Sequence, residues 1–152
     1  GVLPRSAGER IVVLRSFGKF YGLAGLRLGF VVGPDDIVGR LQALVGDWPV
    51  SGPAITLGCR ALLDTAWQAQ TRIRLRETRL RLENCLRASG LDVVGGTDLF
   101  VLVDTPRAVP LHEALARQGI WTRIFSDQPG RVRFGLPDEI GLARLVKALA
   151  LR

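Results

Sequence analysis

Ser16-Phe17-Gly18-Lys19 follows almost directly on an apolar, β-branched run, Ile11-Val12-Val13-Leu14, and leads into Gly22-Leu23-Ala24-Gly25-Leu26-Arg27-Leu28-Gly29. A short run of that composition predicts a buried strand, which delivers Ser16 and Lys19 at its carboxyl end. Sites in α/β sheets commonly form at that end of a strand. The glycines at 18, 22, 25 and 29 loosen the following loop and let its backbone approach a ligand closely. Three side chains then carry the chemistry. A guanidinium fork donates two parallel hydrogen bonds to a phosphate. A lysine amine attacks an aldehyde in its neutral form, which neighbouring cations and partial burial favour. The hydroxyl, amine and guanidinium together suit one small ligand that carries both a phosphate and an aldehyde.

The segment resembles the lysine signature of fold-type I pyridoxal-phosphate enzymes, the class I/II aminotransferase superfamily. The resemblance implies pyridoxal 5′-phosphate as cofactor, with Ser16 and Arg27 on its phosphate. It also implies that Lys19 is joined to the cofactor and is the catalytic residue. A lysine after a strand is ordinarily a solvated surface residue; it is the coincidence of Ser, Lys, Arg and Gly that argues otherwise here.

Length alone, at 152 residues, suggests one domain. The superfamily's chains are more than twice as long, with the lysine motif past the middle, and no Met occurs here even at position 1. The expectation is therefore a carboxyl-terminal half of a longer protein. The charge balance is basic, 21 Lys plus Arg against 14 Asp plus Glu. Apart from Lys19 and Lys147 these cations are all Arg, spread without an aromatic-interleaved patch, so no nucleic-acid partner is expected. Cys59 and Cys85 lack metal-ligand spacing and read as buried thiols, and a single His removes any His-rich metal site. No metal is expected. No stretch approaches the roughly 18 apolar residues of a membrane span, and Gly1 to Arg10 lack a leader's apolar run. A cytoplasmic protein with no membrane partner is expected.

Along the chain, Leu28-Gly29-Phe30-Val31-Val32-Gly33 predicts a second buried strand, and Pro34-Asp35-Asp36 opens a helix over 35–44. A turn-rich connector, Gly46-Asp47-Trp48-Pro49-Val50-Ser51-Gly52-Pro53, precedes one long helix over 54–88, bent near its middle. The Arg-rich part of that helix, 72–87, reads as a solvated face. From Gly90 the pattern becomes strands at 92–94 and 100–103 separated by Gly95-Gly96, then a helix over 110–118 closed by Gly119. Strands at 120–125 and 131–134 and a last helix follow, with Ile140, Leu142, Leu145, Val146 and Leu149 on its apolar side. That order is an α+β small domain.

The layout is similar to the end of a fold-type I enzyme, and the implied fold class is α/β. Residues 1–52 would close the large pyridoxal-phosphate domain, 53–89 form a long connecting helix, and 90–152 a small α+β domain. Arg133, in Arg131-Val132-Arg133-Phe134-Gly135-Leu136-Pro137, falls where related aminotransferases bind the substrate carboxylate. Arg123 matches an arginine near the substrate in the histidinol-phosphate aminotransferase branch. Trp48 and Ser51 lie in a connector resembling one that approaches the active site, or they pack a domain junction. His112 reads as a helix-surface residue.

Within the superfamily, residues 15–30, Trp48-Pro49-Val50-Ser51-Gly52-Pro53-Ala54 and Arg133-Phe134-Gly135-Leu136-Pro137 look most like the threonine-phosphate decarboxylase family of cobalamin biosynthesis. That family decarboxylates O-phospho-L-threonine to 1-amino-2-propanol phosphate. The resemblance implies a small phosphorylated amino acid as substrate and a homodimer at full length. A histidinol-phosphate type of aminotransferase shares the lysine motif and is the alternative. The family's acidic residue against the pyridine nitrogen, its aromatic ring over the cofactor and its further phosphate contacts precede the lysine, and nothing here matches them. An inactive, truncated homologue serving as a binding piece is thus a further alternative.

Overall fold

A computed structural model describes residues 11–150. Gly1 to Arg10, read as carrying no leader, lie outside the described residues, as do residues 151 and 152 at the end of the expected small domain. The chain divides into two compact units, Gly1–Thr65 and Ala66–Arg152.

In the first unit, β1 (Val13–Ser16) and β2 (Gly29–Val32) pair antiparallel, with Val13 opposite Val32 and Ser16 opposite Gly29. A short 3-10 turn, Ala24–Leu26, lies in the loop between them. Helix α1 (Asp35–Val45) starts where Pro34 and two acidic residues predict it. Helix α2 (Gly52–Leu63) is capped by Ser51, whose Oγ accepts a hydrogen bond from the Ala54 N–H at 3.4 Å. The expectation that both strands are buried is corrected: Leu14 is 75% exposed, and Phe30, Val31 and Val32 are exposed as well. Continuous apolar runs belong to strands covered on both faces, whereas among the described residues β1 and β2 pair only with each other. Among the described residues of this unit the buried side chains are Phe17, Leu28 and Ala54, next to the buried Gly58.

The single helix expected over 54–88 is two helices. Asp64 leaves helical geometry at φ −78°, ψ 75°, and α3 (Thr65–Ala88) begins after it. Asp side chains compete with the backbone in helix interiors and favour such breaks.

In the second unit, α3 is followed by β3 (Asp92–Thr97), β4 (Phe100–Asp104), α4 (Ala108–Ala116), β5 (Arg123–Ile124), β6 (Arg131–Gly135) and α5 (Glu139–Ala150). The sheet order is β3-β4-β6-β5, every neighbouring pair antiparallel. Alternation sends Val101, Val103, Val132 and Phe134 to one face, where Leu82 and Leu86 of α3, Leu111 and Leu115 of α4 and Leu145 and Leu149 of α5 complete one core. Each fully buried aliphatic side chain contributes about 1.5–3 kcal/mol. This is the α+β layering expected, with the helices packed on one face of the sheet.

Three finer expectations are corrected. Gly95 and Gly96 lie inside β3 rather than between strands; a Cβ on Gly96 would sit 2.5 Å from the Phe100 carbonyl oxygen, so close pairing with β4 requires glycine there. The strand expected over 120–125 shrinks to Arg123–Ile124. On α5, Ile140 and Val146 are exposed, and the buried stripe is Leu145, Ala148 and Leu149. Ile140 stands about 200° round the helix from Leu142, off that stripe.

Candidate active site

β1 ends on Ser16, and the loop from Phe17 to Leu28 departs and returns at that one end of the ladder. The Phe17 N–H donates to the Leu28 carbonyl at 3.2 Å, and the Leu23 N–H donates to the Phe17 carbonyl at 2.9 Å. The Phe17 ring is 2% exposed and stacks on Tyr21 at 4.5 Å between centroids, with Phe30 at 5.7 Å. Gly58 of α2 completes the support, because a Cβ there would lie 2.5 Å from Leu28 Cδ2. Two apolar anchors, Phe17 and Leu28, thus seat a loop whose polar side chains remain accessible.

The structure brings Ser16, Lys19 and Arg27 onto this one loop, and all three are exposed. The Ser16 hydroxyl accepts a hydrogen bond from the Gly18 N–H at 3.0 Å, which orients its oxygen over the turn. A Cβ on Gly18 would meet Ala24 Cα at 3.3 Å and Ser16 Oγ at 3.4 Å, so the turn is tight. Lys19 occupies that turn, and its carbonyl accepts from the Gly22 N–H at 3.0 Å; Gly22 takes a left-handed φ of 68°. The partial burial expected of Lys19 is not found among the described residues, where Lys19 is exposed. Arg27 caps the 3-10 turn in left-handed geometry, φ 52° and ψ 39°, and its Nη1 donates to the Ala24 carbonyl at 3.3 Å. A non-glycine residue in that region carries a cost of about 1–2 kcal/mol. Strain of this kind concentrates where a side chain has to be aimed.

Trp48 is 94% exposed and also left-handed, at φ 59°. Ser51 has a structural task as the cap of α2.

Arg123 and Arg133 belong to the second unit and are direct cross-strand partners between β5 and β6. Both lie exposed, with Arg133 in register with Leu102 between the core-facing Val132 and Phe134. The Arg133 guanidinium stands 5.4 Å from the Phe100 ring centroid and 6.0 Å from that of Phe125, and Arg123 stands 5.8 Å from Phe125. Sequence reasoning misses both rings. Alternation with Val101 is a signal that could put Phe100 on the outward face, but the pairing of β5 with β6 has no local signal.

His112, read from the sequence as a surface residue, is half-buried: its Nδ1 is 2.8 Å from the Oγ1 of buried Thr122, and its ring meets Trp121 edge-on at 5.1 Å. The expectation of two buried thiols is corrected for Cys59, which is exposed on α2. Cys85 is half-buried, and burial pushes its thiol up from the ordinary range. Among the described residues no cluster of His, Cys, Asp and Glu could hold a metal ion, and no helix is long and apolar enough to cross a membrane.

The aminotransferase class I and II family matches residues 4–149, and the chain belongs to that family. A threonine-phosphate decarboxylase from Sinorhizobium sp. is 46% identical over 98% of this chain and 45% of its own length. A histidinol-phosphate aminotransferase from Symbiobacterium thermophilum is 34% identical over 86% of this chain and 35% of its own. The crystal structure of histidinol-phosphate aminotransferase from Sinorhizobium meliloti in complex with pyridoxal-5'-phosphate superposes with a TM-score of 0.80 at 21% identity, over 91% of this chain and 39% of that one. At that identity the likeness shows a shared fold, and the expected class, part of a fold-type I transferase, is the one found. The chain spans less than half the length of these relatives.

Proposed function

We propose that the whole protein is a pyridoxal-phosphate-dependent lyase that decarboxylates O-phospho-L-threonine to 1-amino-2-propanol phosphate in cobalamin biosynthesis, acting in the cytoplasm as a homodimer. The observation that carries this reading is the 46% identity to a threonine-phosphate decarboxylase along nearly the entire chain, against 34% to a histidinol-phosphate aminotransferase.

The loop fits the cofactor. Its donor set is a hydroxyl, an amine and a guanidinium, all exposed, on a turn so tight at Gly18 that a Cβ would reach Ala24 and the Ser16 oxygen. Ser16 and Arg27 would hold the phosphate, the guanidinium by paired charge-assisted hydrogen bonds. When bound, pyridoxal phosphate supplies a conjugated ring that stabilises negative charge at the substrate Cα. Lys19 would anchor the cofactor through Nζ and, once released by substrate, deliver a proton from Nζ to Cα. Arg123 and Arg133 would grip the carboxylate and phosphate of the substrate, fixing its rotation and so selecting which Cα bond is lost. Orientation of that kind supplies several kcal/mol in well-positioned reactions.

The test is to incubate the whole protein with O-phospho-L-threonine, and separately with histidinol phosphate plus 2-oxoglutarate, following carbon dioxide and glutamate. Carbon dioxide from the first mixture with little glutamate from the second is expected. Glutamate without carbon dioxide would establish the aminotransferase alternative, and neither product would return the chain to the status of a binding piece.

A further inference from the structure

Two guanidinium groups directly opposite one another on antiparallel strands repel, and like charges at such positions destabilise a sheet. Arg123 and Arg133 occupy that relation. Some arginines of this unit are neutralised: Arg79 lies 2.6 Å from Glu83, Arg131 lies 3.9 Å from Asp104, and Arg81 pairs with Glu139. Among the described residues, the ion pairs of this unit include neither Arg123 nor Arg133. Aromatic rings take the carboxylate's place. Phe125 serves both guanidiniums, at 5.8 and 6.0 Å from its centroid, and Phe100 holds Arg133 from the next strand at 5.4 Å. An aromatic face attracts a cation without neutralising its charge. A carboxylate in the same position would cancel the field that an anionic ligand needs. The ring therefore does what an ion pair cannot: it restrains two long side chains while leaving both charges available.

We propose that Phe125 is a specificity-determining positioning residue, holding Arg123 and Arg133 side by side so that they bind a substrate carrying two anionic groups and disfavour one carrying a single anionic group. Phe100 braces the Arg133 side of the pair. This rests on the reading of the two arginines as the substrate-binding pair. Its own content is that the ring sets their spacing, and with it the preference for a phosphorylated amino acid. Losing the ring frees two side chains whose mutual repulsion then drives them apart. Each lost cation–π contact at a half-exposed site weakens binding by about twofold to fivefold, so about fourfold to twenty-five-fold is expected when both are removed. A substrate with one carboxylate, held by one arginine, loses about half of that effect on a logarithmic scale.

The experiment compares wild type, Phe125→Leu and Phe125→Tyr in the whole protein. Calorimetry measures binding of O-phospho-L-threonine and of L-threonine, and KM and kcat are measured for decarboxylation of the phosphorylated compound. Phe125→Leu is expected to raise Kd and KM for O-phospho-L-threonine about fourfold to twenty-five-fold. It should shrink the preference over L-threonine. Phe125→Tyr, which keeps the aromatic face, is expected to restore both. Wild-type behaviour of Phe125→Leu, or equal impairment of the Leu and Tyr variants, would overturn the role of the ring and leave the proposed function standing. A wild-type protein that neither binds nor decarboxylates O-phospho-L-threonine would overturn both.

Discussion

Gly58→Ala tests the support of the lysine loop. A Cβ at this position of α2 would lie 2.5 Å from Leu28 Cδ2 and 3.9 Å from Phe17 Cε1. Two carbons rest comfortably at about 3.5–4.0 Å, so about 1 Å of movement is required. Leu28 is 8% exposed and has little room to turn, and its neighbour Gly29 is held so close that a Cβ there would meet the Arg15 carbonyl oxygen at 2.9 Å. Overpacking of this kind costs about 1–3 kcal/mol. Replacing glycine by alanine in a helix interior returns about 1 kcal/mol, which leaves a net loss of about 0–2 kcal/mol. Leu28→Ala alone should cost about 2–3 kcal/mol through lost burial and the cavity it leaves. In the double variant the new methyl enters the space that Leu28 vacates, so the combined loss should fall short of the sum by about 1–2 kcal/mol. Amide hydrogen exchange at Phe17 and Leu23 reports opening of the loop, because those N–H groups donate to the Leu28 and Phe17 carbonyls. Losses that add within about 0.5 kcal/mol would refute the packing argument.

Asp138→Ala should lower unfolding free energy by about 1 kcal/mol in urea titration, because Asp138 Oδ1 accepts a hydrogen bond from the Gly141 N–H at 2.7 Å at the start of α5. Cys59 should react with a thiol reagent at pH 8 about tenfold faster than Cys85, since Cys59 is exposed and burial raises the Cys85 thiol, reducing its thiolate fraction; peptide mapping at partial labelling reads the ratio. Arg27→Ala in the whole protein should weaken cofactor retention, with saturating pyridoxal phosphate restoring much of the rate, as expected when an interaction is made equally in every state.

Features set by local chemistry are legible in the amino-acid sequence. Pro34 with two acidic residues marks the start of α1, and Gly119 marks the end of α4, because caps and left-handed turns act within one helical turn. The loop is legible for the same reason: Ser16, Lys19 and Arg27 sit close together in the chain, among glycines that announce a tight approach. Non-local features are not legible. That Phe30 and Leu14 stand exposed follows from a two-stranded ladder, a property of what covers a strand rather than of its own residues. The Arg123–Arg133 pairing depends on register across a turn, and the ring of Phe100 comes to Arg133 from the neighbouring strand β4. The break at Asp64 is hidden because helix-forming sequence continues on both sides of it.

The central claim is that Lys19 holds pyridoxal phosphate. Its most direct test is borohydride reduction of the cofactor-loaded whole protein, followed by proteolysis and mass analysis of the peptide containing Ser16, Lys19 and Arg27. A pyridoxyl adduct on Lys19 in wild type, and its loss in Lys19→Ala with no rescue of turnover by excess cofactor, is the predicted result. An adduct on another residue, or none in a fully folded protein, would contradict the claim.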